Sequence, residues 1–342
     1  MKKSLYVILI VTLLGTLCTQ GFAAPKPKQL PVLKVAVMPF LLSLPVNYIV
    51  EKGWDKQNGF KIEPILFSTG APMNEALGAN LWDVATIGAA AVTTLSVYDA
   101  KVIAETSNAA GGFGLYVRPG SPISKVKGFN PTFPTLLGDP ETVRGKTILV
   151  PIGTMSQLHE LKWLEKIGVK DKEVNSVNMD YPQAYQAFLA GQGDIVALNP
   201  PLSFVAEEKG WINAGSLIDL KIPQYDNVVA SKSAYETKKA LLTKFVKLMY
   251  RANAELKKNQ DVEVKMLSDW YKQNGQNIET KLVRAEVQAR PLLTAEDAKK
   301  KPLGDSIKTT AEFMASIGKL QTDKLPIFDK NVVGDILKAA LK

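Results

Sequence analysis

Apolar residues fall in short blocks through the first two-thirds of the chain and at helical spacing thereafter. Leu33 to Met38 (LKVAVM) predicts a short buried strand, Pro39 to Leu44 a turn, and Pro45 the first turn of a helix that ends at Gly53. Further strands are predicted at Phe60–Phe67, Val84–Ile87, Val102–Glu105, Leu115–Val117, Thr147–Val150, Val174–Met179, Ile195–Leu198 and Val228–Ser231. Between them lie amphipathic helices such as Pro72–Leu77, Gln157–Gly168 and Tyr181–Gly191, and Asn199-Pro200-Pro201 opens another with a good N-cap. From Tyr235 on, the spacing predicts helices over 235–258, 262–273, 279–289 and 305–317. Residues 119–145, with five prolines, predict a long surface loop or insertion. Strand–helix alternation followed by helices predicts an α/β fold with mainly parallel sheets flanked by helices.

The stretch FKIEPILFSTGAPMNEALGANLWDVATIGAAAVTTL (60–95) holds two strands that each end in Gly, Ser, Thr or Ala just before a helix start. Ligands of open α/β sheets bind outside the carboxyl ends of the strands. Free N–H groups and the positive helix end are aimed at that crevice. Neither turn carries a catalytic side chain, so the pattern is one for holding a small molecule. A weak repeat supports two similar units. NEALGANLWDVATIG (74–88) and QAFLAGQGDIVALN (186–199) each read helix, Gly turn, Asp, buried strand, helix start, with Asp83 and Asp194 in matching places. Two ordinary strand–helix units that are alike by chance are the plainer reading.

The first residues change the setting. Lys2-Lys3, the apolar run Leu5–Leu17 and Gly21-Phe22-Ala23 form a secretory signal segment, with cleavage expected after Ala23 because Pro25 disfavours a cut after Ala24. The apolar run is short for a membrane span. Gly15-Thr16-Leu17 before Cys18 has a bulky Leu where a lipid-anchor signal has a small residue, so a lipoprotein is not expected. The formal charge is +9, and loss of Lys2 and Lys3 leaves +7. The cleaved chain would keep no cysteine, hence no disulfide and no thiolate metal site. Its lysines are scattered along helix faces with no basic stripe bearing aromatics, so no nucleic-acid partner is expected.

Several features together resemble a known family. These are the LxAGxxDIA-like helix–strand junctions, the strand–turn Gly145-Lys146-Thr147-Ile148-Leu149-Val150-Pro151, and Phe313-Met314 followed by Gly318-Lys319-Leu320. In this order, behind a signal segment, they resemble the periplasmic substrate-binding proteins of ABC importers, in the nitrate/sulfonate/taurine and thiamine-pyrimidine-like group, across residues 31–325. The resemblance implies a type II binding-protein fold of two lobes with a ligand cleft between them. Its lobes would be 31–110 with 227–342, and 111–226, behind a 1–23 signal peptide. It also implies a periplasmic monomer that binds a small-molecule ligand and hands it to an ABC permease with transmembrane subunits and a cytoplasmic ATPase. No enzyme activity, cofactor or metal is implied. An exported sensor docking on a membrane receptor, and an enzyme of the same fold acting in thiamine-pyrimidine or menaquinone precursor synthesis, are the alternatives.

Ligand-contacting turns carried over from the resemblance are Ser43, Ser68-Thr69-Gly70, Gly88-Ala89, Thr154 with Ser156, and Asn199. Asp226 falls where taurine-type members meet the ligand amine, and Phe40 and Tyr225 are candidates for a stacking wall. Each hydroxyl or amide residue is also a preferred helix cap, and Asp226 could close an Asx turn. Trp54 and Trp82 read better as core. His159, the only histidine, sits off the apolar face of its helix and predicts a solvated or boundary position. The apolar Phe40-Leu41-Leu42 and the small Gly88-Ala89-Ala90-Ala91 point away from a bare inorganic anion. They favour a solute with an anionic or zwitterionic head and an apolar or aromatic body. No GxSxG, P-loop or dinucleotide fingerprint is present.

Overall fold

The computed structural model describes residues 29–342, so the signal segment and Cys18 lie outside the described residues. Ten strands follow in chain order. They are β1 (Val32–Val37), β2 (Lys61–Leu66), β3 (Val84–Ile87), β4 (Lys101–Asn108), β5 (Gly114–Val117), β6 (Thr147–Val150), β7 (Asn175–Asn178), β8 (Ile195–Leu198), β9 (Ile212–Ser216) and β10 (Tyr225–Ala230). They form two five-stranded sheets, ordered β2-β1-β3-β10-β4 and β7-β6-β8-β5-β9. The chain leaves the first sheet after β4 and returns to it as β10, so two segments cross between the lobes. Each crossing delivers a strand running against its neighbours: β10 is antiparallel to β3 and β4, and β5 to β8 and β9. Four of the five strands in each sheet therefore run the same way, so both sheets are mainly parallel with one reversed strand each. Direction is set by the crossings, which hydrophobic periodicity does not reveal.

The β3 and β8 strands (VATI and IVAL) are buried along their whole length, as central strands covered on both faces must be. The repeated aspartates do the same work in each sheet. Asp83 Oδ2 accepts the Lys34 N–H at 2.9 Å and Asp194 Oδ2 accepts the Thr147 N–H at 2.9 Å, each clasping the start of the neighbouring strand. Apolar side chains fill both faces of both sheets, with Trp54 and Trp82 among them.

Two sequence expectations need correction. The 119–145 segment is not simply a surface loop: Ile123, Leu136 and Val143 are buried, and the Leu137 carbonyl accepts the Trp163 indole N–H at 3.1 Å. His159 is not solvated but fully buried, because its helix (Met155–Lys166) is covered on more than one side. On one of them lies the helix Asp305–Ser316, whose Phe313 joins Met155 and Leu158 in an apolar cluster. Neither ring nitrogen of His159 has a hydrogen-bond partner, and burial holds its pKa down at about 4.

Candidate functional site

The turns after β1, β2, β3, β6, β7 and β8 converge on one cavity of about 320 Å³ between the two sheets. A volume of this order suits a small organic molecule. All six lie at the carboxyl ends of their strands, where the sheets leave backbone groups unpaired. After β2, Thr69 and Gly70 line the cavity, and Gly70 lies so close to Ala90 that no Cβ would fit. After β3 the wall is Gly88 and Ala89, at the entry to the helix Ala91–Tyr98. From the second sheet, Thr154 caps the helix Met155–Lys166 by accepting the Ser156 N–H at 3.2 Å, and Asn199 follows β8. Phe40, after β1, supplies one aromatic surface.

Four of the residues named from the sequence lie elsewhere. Ser43 is fully buried, accepting the Met38 N–H at 2.9 Å and sharing a 2.7 Å hydrogen bond with the Thr86 hydroxyl, so it closes the turn after β1 from within. Ser68 is exposed and outside the cavity. Ser156 is buried behind the wall, its hydroxyl 2.9 Å from that of Tyr181, which does face the cavity. The Tyr225 ring is turned to Lys301, whose ammonium lies 3.7 Å from the ring centroid.

Asp226 lines the cavity but closes no Asx turn: it lies within β10, in register with Ser107 of β4. Nor is it a free carboxylate. Its Oδ2 accepts the Ser107 hydroxyl at 2.6 Å and Arg290 Nη2 at 3.1 Å. Arg290 also lines the cavity, and its Nη1 donates at 2.8 Å to Glu286, which in turn accepts the Tyr271 hydroxyl at 2.7 Å. Glu286 is buried, and that burial pushes its pKa up. Sequence reasoning missed Arg290, Gln224, Phe113 and Tyr181. Arg290 had a signal available, an arginine just before Pro291 at a helix end in a chain where arginine is scarce. Gln224 and Phe113 belong to the crossings, whose path only the fold reveals.

The described residues hold no group of three His, Cys, Asp or Glu that could bind a metal, and no described helix is long and apolar enough to cross a membrane.

A Brachyspira hyodysenteriae protein named as an ABC transporter periplasmic binding protein is 41% identical to this chain over 345 residues, covering 100% of both. A Bacillus subtilis protein named as an aliphatic sulfonates-binding protein is 25% identical over 279 residues, 79% of this chain and 78% of that one. The family model described as NMT1/THI5 like matches residues 137–263. Among solved structures, the periplasmic aliphatic sulphonate binding protein SsuA from Escherichia coli superposes with a TM-score of 0.71 at 16% identity, covering 88% of this chain and 92% of that chain.

Proposed function

The chain belongs to the ABC-transporter periplasmic binding protein family, and from that premise we propose that it captures a small organic solute between its lobes and delivers it to an ABC permease. The observation that carries this reading is the cavity itself. Its walls come from strand-end turns of both sheets, so a solute seated there would touch both lobes at once. Closure of two lobes about hinge segments is an established way to bind between domains. Here the hinges are the two crossings, between β4 and β5 and between β9 and β10. Thr69, Gly70, Gly88, Ala89, Thr154 and Asn199 present backbone and side-chain polar groups to the solute's head, while Phe40, Phe113 and Tyr181 cover its body. The protein acts as an exported monomer after cleavage behind Ala23, and it does no chemistry on what it holds.

The test is a thermal-shift screen of the mature chain against sulfonates and oxoanions, zwitterionic amino compounds, aromatic carboxylates and pyrimidines, with small-angle scattering on any hit. A solute at 100 times its dissociation constant raises stability by about 2.7 kcal/mol, and closure lowers the radius of gyration. Recovery of the solute unaltered supports a carrier. Turnover would replace it with the enzyme reading, and a hit that leaves the radius unchanged would overturn capture by closure.

A further inference from the structure

One acid and one base stand among the residues lining the cavity, Asp226 and Arg290, and they are bonded to each other at 3.1 Å. Both are more than nine-tenths buried, at 4% and 7% exposure. Neither is free to move to another partner. Arg290 is also held from behind by Glu286, and the Asp226 oxygen it meets also carries the Ser107 hydroxyl. The other Asp226 oxygen faces Gly88, 3.4 Å from where a Cβ would stand. Gln224 adds an uncharged amide to the wall, its Oε1 without a protein partner. The cavity of about 320 Å³ is of a size for a small organic molecule. Phe40, Phe113 and Tyr181 suit a flat one.

We propose that the Arg290–Asp226 pair is the charge selector of this site. It keeps the wall electrically balanced, so the cavity takes an uncharged planar solute in preference to a cationic or anionic one of the same shape. The proposal rests on the reading of the cavity as the solute site. A full charge on the solute would have to compete for a buried partner already engaged, and breaking a buried pair leaves one member uncompensated. Removing one member should then recruit the opposite charge. Burial disfavours the charged form of Glu286 behind Arg290, so without Asp226 the wall keeps a cation with a free Nη2, and without Arg290 it keeps a carboxylate.

Benzamide, benzamidine and benzoate are near-isosteric and respectively neutral, cationic and anionic. Titrated by NMR into the mature chain, benzamide should bind roughly tenfold more tightly than either ion. In Asp226→Asn the order should turn toward benzoate, and in Arg290→Met, made with Glu286→Gln so that no second carboxylate is stranded, toward benzamidine. Should the double variant fail to fold, Asp226→Asn still decides, because it keeps the Arg290–Glu286 bond. An order that is the same in wild type and variants would overturn the selector and leave the solute site standing. Absence of binding by all three would overturn the selector too, and the solute site would then stand or fall on the closure measurement.

Discussion

His159 and Glu160 are neighbours in sequence that burial shifts in opposite directions. The Gly215 backbone and the Asp219 carboxylate favour a charged imidazole, but desolvation outweighs them and His159 falls from 6.5 to about 4. Desolvation likewise pushes Glu160 up from 4.5 to about 7 against a 2.5 Å hydrogen bond from Ser176. Between pH 4.5 and 6.5 the unfolded chain carries an imidazolium and a carboxylate, whereas the folded chain holds both groups neutral. The number of bound protons is the same, so together the pair adds no slope to stability across that window. Single substitutions expose what cancels. The Glu160 contribution is full below pH 4.5 and lost as pH rises through about 7, so Glu160→Gln should gain on wild type over that rise, by about 3 kcal/mol at the top. The His159 contribution is full above pH 6.5 and lost as pH falls through about 4, so His159→Leu should gain on wild type toward acid. Urea midpoints at intervals of half a pH unit would show both trends, and a pH-independent difference would refute them. None of this was legible beforehand. Helical spacing placed His159 off the main apolar stripe, but the Gly215 backbone of β9 and the Asp219 carboxylate just after it lie beside the ring, so that side is buried too. Asp226 was named from the sequence and lines the cavity, whereas its partner Arg290 is 64 residues away in sequence.

Elements were read more securely than their partners. The spacing gave β3, β6 and β8 with the bounds they have, because strands covered on both faces read as short, mostly apolar blocks. It missed β9, whose INAGS holds Asn and Gly and pairs only at a sheet edge. Residues read as helix caps were also offered as ligand contacts, and not all of them cap: the helix Leu202–Glu208 starts after Pro201, so Asn199 is not its N-cap. Thr154 does cap the helix Met155–Lys166; it also bonds the Pro151 carbonyl at 2.6 Å and faces the cavity. Stability can separate the roles. Thr154→Ala should lose about 1 kcal/mol, a melting point lower by roughly 2 °C, while Thr154→Ser keeps the capping oxygen and should melt near wild type. Equal losses in both would mean that the methyl, not the cap, carries the contribution.

At the scale of the molecule two kinds of contact join the lobes outside the cavity. Lys281, on the helix Thr280–Ala289, pairs with Glu208 on the helix Leu202–Glu208, and their side chains are 61% and 34% exposed. Exposed pairs of this kind contribute less than about 1 kcal/mol and fade with salt. The other contact is the cluster of Phe313 with Ala110, Met155, Leu158 and Leu217. Phe313 stands on the helix Asp305–Ser316, which the first lobe holds through Ile307 and Ala311, while Met155 and Leu158 belong to the helix that follows β6 of the second. Truncating a buried phenylalanine costs about 3–5 kcal/mol, so the apolar contact should dominate the ion pair. In urea titrations Phe313→Ala should therefore lose at least about 3 kcal/mol at low and high salt alike, and Lys281→Ala under about 1 kcal/mol, most of it gone at high salt. A larger loss in Lys281→Ala would mean that the lobes are held by charge. With the ordering expected, the Phe313 cluster is a dry bearing beside the crossings, and the ion pair is a contact that opening of the cavity can break at little cost.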